Sequence, residues 1–176
     1  IDPIDPNVIY LVGFTTNTPN DFPYTFITGN EYFVSSFTSS ARGFLAKFDS
    51  RVPQWITTFG GTNTWIRDVI VDEQRNVYIT GITTTGVYAT NTCAVPISHN
   101  SEFPSCFGNN LFHQPTFGGS PSGGDGFISG FDQNGILIWS TYIGGVDPDV
   151  SQAITYDAAY DRVYTCGFSR SFSGFP

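Results

Sequence analysis

The chain has 176 residues, 40% of them apolar and 16% aromatic, which is enough to build the packed core of one ordinary domain. A formal net charge of −8 and a single lysine argue against nucleic acid or an anionic membrane as a partner. No apolar stretch approaches the roughly 18 residues that a membrane-spanning helix needs, so no transmembrane helix is expected.

Nine β-strands are predicted along the chain, because short apolar runs alternate or are β-rich and turn residues separate them. They lie near 9–14, 43–49, 54–59, 66–72, 77–83, 126–131, 136–143, 151–157 and 162–168. Between two of them, Asn134 and Gly135 favour a tight hairpin turn. No window carries the apolar stripe of an amphipathic helix. The sequence therefore predicts an all-β fold.

Four of the segments recur 83 to 86 residues further along the chain. GFLAKFD at 43–49 returns as GFISGFD at 126–132, and VYITG at 77–81 returns as VYTCG at 163–167. An incomplete copy, IYLVG, opens the chain at 9–13. Each full copy predicts a four-stranded antiparallel meander. The predicted divisions are 1–40, the end of a first repeat and a connecting loop; 41–124, a second repeat with an inserted loop; and 125–176, a third repeat.

The third copy resembles the bacterial SBBP repeat, a seven-bladed β-propeller-related family. The resemblance rests on DGFISGFD at 125–132, WSTYIGG at 139–145, VYTCGFS at 163–169 and the Phe-Pro pair at 175–176. It implies one propeller blade per repeat, in large secreted or surface-anchored bacterial proteins that commonly have no assigned enzymatic activity. Such a likeness concerns the fold and assigns no site.

About two blades and part of a third would be present, whereas closed propellers have typically four to eight. Two explanations remain open. The chain is a fragment of a longer polypeptide, which the start in mid-repeat favours, or several copies associate to complete the ring. In either case the expected partners are the remaining blades of the same polypeptide or other protein chains.

The three cysteines differ in their relation to the repeats. The second copy carries about 13 extra residues, and Cys93 and Cys106 lie within or beside this insertion, which predicts a disulfide and an oxidising compartment. Two unrelated free thiols are the alternative. Cys166 takes the strand position of Thr80 and Val12, so a small buried side chain is expected there.

Binding is expected where the copies differ, because loops on a repeated scaffold carry function. The main asymmetry is the segment 86–124, with the insertion itself at about 91–102. The candidate binding residues in this region are His99, Phe107, Phe112 and His113. A zinc site built on the two histidines is the weaker reading, since no ligand spacing typical of zinc accompanies them.

Two further residue pairs carry alternatives. Asp147 and Asp149 are weak candidates for calcium ligands, although a structural role in turns is the favoured explanation, and no other metal or cofactor is expected. Trp55 and Trp139 recur at the same place in the two full copies. Their position in Phe-rich strands favours a core role over a sugar-stacking platform.

These features favour a non-catalytic structural or adhesive propeller module of a secreted or cell-surface bacterial protein, acting by contact with protein or polysaccharide. The alternative is a subunit or segment of a surface filament or secretion-associated complex. A propeller hydrolase or lyase is the weakest candidate, because nothing in the sequence singles out a nucleophile with an oriented base.

Overall fold

The computed structural model describes residues 1–16, 21–23, 41–90, 93, 102–107, 112–119 and 123–176. These residues form strands and turns and contain no α-helix. The strands are β1 (Val8–Thr15), β2 (Arg42–Asp49), β3 (Val52–Phe59), β4 (Thr64–Val71), β5 (Val77–Thr83), β6 (Val87–Thr90), β7 (Phe103–Cys106), β8 (Asp125–Phe131), β9 (Leu137–Ile143), β10 (Asp149–Asp157) and β11 (Arg162–Ser169). The all-β prediction and its nine strands are confirmed, while β6 and β7 were not predicted.

The strands form three sheets. Sheet A has the order β1-β2-β3, sheet B has the order β4-β5-β8-β9-β7-β6, and sheet C consists of β10 and β11. Neighbouring strands are antiparallel apart from the parallel pair β6 and β7. Sheet B lies between the other two, since β4 packs against β1 and β2 while β10 packs against β4, β5 and β8.

The prediction that each sequence repeat forms one four-stranded meander is wrong. The second copy is divided between two sheets, and β4 and β5 pair instead with β8 and β9 of the next copy. The connection between β3 and β4 explains the division. It contains Gly60 and Asn63, both with positive φ, of 78° and 59°, so the chain turns out of sheet A before β4 begins.

The two full copies nevertheless share their irregularities. The register between β4 and β5 shifts between Ile66 and Asp68, and the register between β10 and β11 shifts between Ser151 and Ala153. The repeat glycine lies opposite the first residue of each bulge, in one case as Gly81 opposite Ile66. A β-carbon on Gly81 would overlap the carbonyl oxygen of Trp65, so the close approach of two backbones requires glycine here.

Two layers of apolar side chains join the sheets. Between sheets A and B the ring of Phe59 is fully buried against Phe103, Phe127 and Phe131, with ring centroids 5.5 to 5.7 Å away. A second cluster between sheets B and C consists of Tyr78, Ile128, Trp139 and Ile154. Trp55 and Trp139 are both buried, which confirms the core role predicted for them.

Candidate functional site

The predicted disulfide between Cys93 and Cys106 is present, with the two Cα atoms 5.2 Å apart. Cys106 is fully buried in β7, and Cys93 packs against both apolar clusters. The bond therefore ties the inserted loop to the interior of sheet B. The insertion at 91–102 otherwise falls almost wholly outside the described residues, and the candidate His99 lies among those that are not described.

Three candidates from the inserted region are described, and the structure separates them into two places. Phe107 and His113 are brought together, with their ring centroids 5.3 Å apart. The Nε2 atom of His113 lies 3.1 Å from the hydroxyl of Ser105, and burial lowers the pKa of His113, so the imidazole is neutral at neutral pH. Phe112 is half exposed and contributes to a cavity beside sheet C.

The aspartates proposed for calcium lie where β10 begins, Asp147 in the preceding turn and Asp149 as the first residue of the strand. Asp149 accepts hydrogen bonds from the Gly145 amide at 2.6 Å and from the Ser171 hydroxyl at 2.7 Å. Burial alone would raise the pKa of Asp149, but hydrogen bonds including those from Gly145 and Ser171 outweigh it and lower the pKa. Asp147 binds the same serine through its backbone. Both aspartates therefore stabilise the turn.

A cavity of about 730 Å³ lies between sheet B and the hairpin of sheet C. We call it the aromatic groove. Six of its lining residues carry aromatic rings: Tyr78, Phe112, Trp139, Tyr156, Tyr160 and Tyr164. Sequence reasoning singled out only Phe112 and Trp139 of these, because tyrosines in a turn and a strand carry no spacing that identifies a site.

The polar groups of the groove are paired only in part. The Tyr156 hydroxyl donates to Asp161 at 2.9 Å, and the Arg162 guanidinium lies over the ring of Tyr160, 5.8 Å from its centroid. Tyr78 donates to Asp72 at 3.0 Å, and burial together with this carboxylate raises the pKa of Tyr78. The groove thus combines apolar ring surface with the polar groups of Tyr160, Arg162 and Tyr164, a mixture that is typical of protein interfaces.

The edge of β11 adjoins the groove and is open. Among the described strands β11 pairs only with β10, so backbone groups on its other side are available. The groove borders residues 162–164, and a second cavity of about 350 Å³ borders 165–169. Together the two cavities follow the whole length of the strand. We call the side of β11 that does not pair with β10 the β11 edge.

The exposure of Cys166 corrects one prediction. Its thiol is free and exposed, where a buried side chain was expected from Thr80 and Val12. Val12 packs on the apolar cluster between sheets A and B, and the Thr80 hydroxyl lies 3.4 Å from that of Thr165 in sheet C, whereas no described sheet covers the corresponding face of sheet C.

Asp125 gives the region a pH dependence that can be measured. Its side chain is fully buried at the start of β8 and accepts a hydrogen bond from the Gly118 amide at 2.8 Å. Burial raises its pKa from 3.8 to about 6, so the folded state holds the proton more tightly than the unfolded state. We therefore expect this group to reduce the free energy of unfolding as pH rises from about 4 to about 6, by about 2 kcal/mol.

Denaturant unfolding across this pH range, compared between the wild type and Asp125→Asn, measures the effect. Between these pH values the free energy of unfolding should fall less in Asp125→Asn than in the wild type, because asparagine does not titrate. Equal slopes in the two proteins would show that Asp125 does not titrate in this range.

Within the part of the chain that the structure describes, no helix is long and apolar enough to cross a membrane, and no three His, Cys, Asp or Glu residues cluster as metal ligands would. In comparisons with known proteins, no family model and no curated protein matches the chain.

Proposed function

We propose that the chain is a non-catalytic structural or adhesive module of a β-propeller protein and acts by contacting protein. The contact is made by the aromatic groove and the β11 edge. The observation that carries this proposal is that sheet C has only two described strands, which leaves an apolar groove next to unpaired strand backbone. Such a surface is rare on monomers and typical of interaction sites.

The propeller part of the proposal is supported by the repeated geometry. Three sheets, antiparallel apart from the β6–β7 pair, pack face to face in chain order, and the copies share their bulges and glycine positions. Propeller blades are sheets of this kind arranged around a channel. The resemblance to the SBBP repeat points the same way, and the disulfide fits the secreted or cell-surface location proposed here.

Protein contact is preferred to polysaccharide contact because the groove adjoins the β11 edge. A protein segment can add a strand to this edge through main-chain hydrogen bonds, whereas a polysaccharide has no strand backbone to pair. A segment of a surface filament or secretion-associated complex would use the same surface and remains the second candidate. No observation favours a hydrolase or lyase.

The groove's contribution can be tested through association of the chain with itself. We expect the 176-residue chain to associate at micromolar concentration, because the groove and the β11 edge are uncovered. Phe112→Ser and Tyr160→Ser should each weaken the association about tenfold, as truncation of an exposed aromatic anchor does. Sedimentation equilibrium measures the dissociation constants.

Phe14→Ser is the matched control, since Phe14 and Phe112 are both 54% exposed and Phe14 lies on β1 outside the groove. An equal effect of all three changes would contradict contact through the groove. Calorimetric titration with a soluble β-glucan forms a separate arm. If the wild-type chain does not self-associate and shows a heat of glucan binding that Tyr160→Ser abolishes, the partner of the groove is polysaccharide and not protein.

A further inference from the structure

We propose that the β11 edge binds a β-hairpin of the repeat's own type. Its first strand has the pattern Gly-Phe-x-x-x-Phe-Asp, and its second strand carries a tryptophan. This rests on the proposed function, because it names the partner of the surface described there. The proposal fixes both the chemistry of the occupant and the register in which it binds.

Two junctions inside the chain supply the template. β1 pairs with β2 so that Gly13 lies opposite Phe44. β5 pairs with β8 so that Gly81 lies opposite Phe127. The strand on the N-terminal side of each junction has the pattern of β11, in which Gly167 holds the glycine position.

The second phenylalanine of the Gly-Phe-x-x-x-Phe-Asp strand also has an equivalent partner at both junctions. Phe48 lies opposite Ile9, and Phe131 lies opposite Val77. Both are four residues from the glycine-paired phenylalanine, and both face a β-branched residue. Val163 holds this position in β11. Strand register is fixed by such face-specific pairing, since a slip of one residue would reverse the side chains.

A tyrosine–tryptophan ring pair spans each junction, and for this reason the second strand of the proposed hairpin carries a tryptophan. The ring of Tyr10 lies 6.1 Å from that of Trp55, with Lys47 of the central strand opposite both residues. The ring of Tyr78 lies 6.3 Å from that of Trp139, with Gly130 between them in the same way.

Tyr164 occupies the same place in β11 and is 47% exposed. A tryptophan two strands away would cover its ring as it does in the other two copies.

Two cavities lie against β11, where such a hairpin would pack. The two cavities run along 162–169, the length of an eight-residue strand. Ile138 and Trp139 of β9 line the larger cavity, and Ile143 of β9 lines the smaller one. In sheet A, β2 and β3 supply Leu45, Trp55 and Phe59 to the core that covers the opposite face of sheet B. An incoming hairpin would cover the side that sheet C leaves open.

Cys166 makes the register measurable. Its equivalents Thr80 and Val12 lie opposite Ile128 and Leu45, so a hairpin with the sequence of 125–143 should place its Ile128 position opposite Cys166. Directly opposite Cα atoms lie about 4.5 to 5.5 Å apart, which is within the range that a disulfide spans. Cys93 and Cys106 are already bonded to each other, so Cys166 is the free thiol.

The probe is a synthetic peptide with the sequence of 125–143 and a fluorophore at its amino end, which contains no cysteine of its own. Fluorescence anisotropy with the full chain measures binding. Two peptides carrying Ile128→Cys or Ser129→Cys are then incubated with the chain in a glutathione redox buffer. The Ile128→Cys peptide should form the mixed disulfide at least about tenfold faster, because adjacent residues point to opposite faces of a strand.

Two controls define the result. Cys166→Ser in the chain should abolish the cross-link, and a scrambled peptide with cysteine at the same position should react at the background rate. Absence of binding, equal rates for the two cysteine positions, or faster reaction of Ser129→Cys would each overturn the proposal.

The outcome is separable from that of the proposed function. If the peptide fails to bind while Phe112→Ser and Tyr160→Ser still weaken self-association, the hairpin is the wrong occupant and contact through the groove stands. If the peptide cross-links in register and those two variants have no effect, the edge accepts a strand and the groove is not the protein contact.

Discussion

Phe59→Ala is expected to lower the free energy of unfolding by about 3 to 5 kcal/mol, the usual cost of truncating a buried phenylalanine. The ring joins sheet A to sheet B and is enclosed by Phe103, Phe127 and Phe131. Its removal leaves a cavity and breaks edge-on ring contacts at once. Urea denaturation followed by circular dichroism measures the change.

Phe14→Ala provides the matched control, because this phenylalanine is half exposed on β1. It should change the free energy of unfolding by less than about 0.5 kcal/mol. Phe59→Leu should have an intermediate effect. If Phe59→Ala and Phe14→Ala were equally mild, the aromatic cluster would not be the layer that holds the two sheets together.

Gly81→Ala is expected to destabilise the chain by about 3 kcal/mol, the upper end of the cost of overpacking. A β-carbon at this position would overlap the Trp65 carbonyl oxygen and approach the Ile66 Cα atom to 3.0 Å. These are backbone atoms at the bulge between β4 and β5, so a side-chain rotation cannot relieve the overlap. Thermal unfolding of the variant measures the loss.

Gly86→Ala is the control that the chain offers for this change. A β-carbon at Gly86 would meet no atom within 4 Å, and its φ is not in the left-handed region. We expect it to be neutral or slightly stabilising, because alanine restricts the unfolded chain. Similar losses at Gly81 and Gly86 would indicate that loss of glycine flexibility, and not backbone overlap, determines the cost.

The strands could be predicted from the sequence because each carries its own evidence. Alternation identifies β2. The recurrence of GFxxxFD and VYxxG identifies further strands by comparison between the copies. β6 and β7 escaped prediction because they lie in the region that has no counterpart in the other copies. Each is only four residues long.

Pairing between strands was less predictable. A repeat shows which segments are equivalent, but it does not show where one sheet ends and the next begins. That boundary depends on the turn at Gly60 and Asn63, whose positive φ values direct β4 onto a neighbouring sheet. The same boundary leaves sheet C with two described strands. Its open edge and the exposed Cys166 therefore follow from topology that a single strand pattern does not contain.

The candidate site was predicted only in part. The insertion pointed to Phe112, which lines the groove, and to the disulfide between Cys93 and Cys106, which is present. Tyr156, Tyr160 and Tyr164 gave no signal in the sequence, because they become a surface only when the β10–β11 hairpin packs on sheet B. The repeat could have identified Tyr164, because the equivalent residues Tyr10 and Tyr78 each form a ring pair with a tryptophan.

Hydrogen exchange of the β11 amides is the most direct test of two claims: that the β11 edge is unpaired in the dilute chain, and that protein contact covers it. In dilute chain, about half of the amides at 162–169 should exchange rapidly, because only alternate amides of an edge strand bond to its single neighbour. The amides of β5, which has neighbours on both sides, should stay protected. At concentrations where the chain associates, or with the hairpin peptide bound, the β11 amides should become as protected as those of β5. Slow exchange of β11 in dilute chain, or fast exchange at every concentration and with the peptide in excess, would contradict the account.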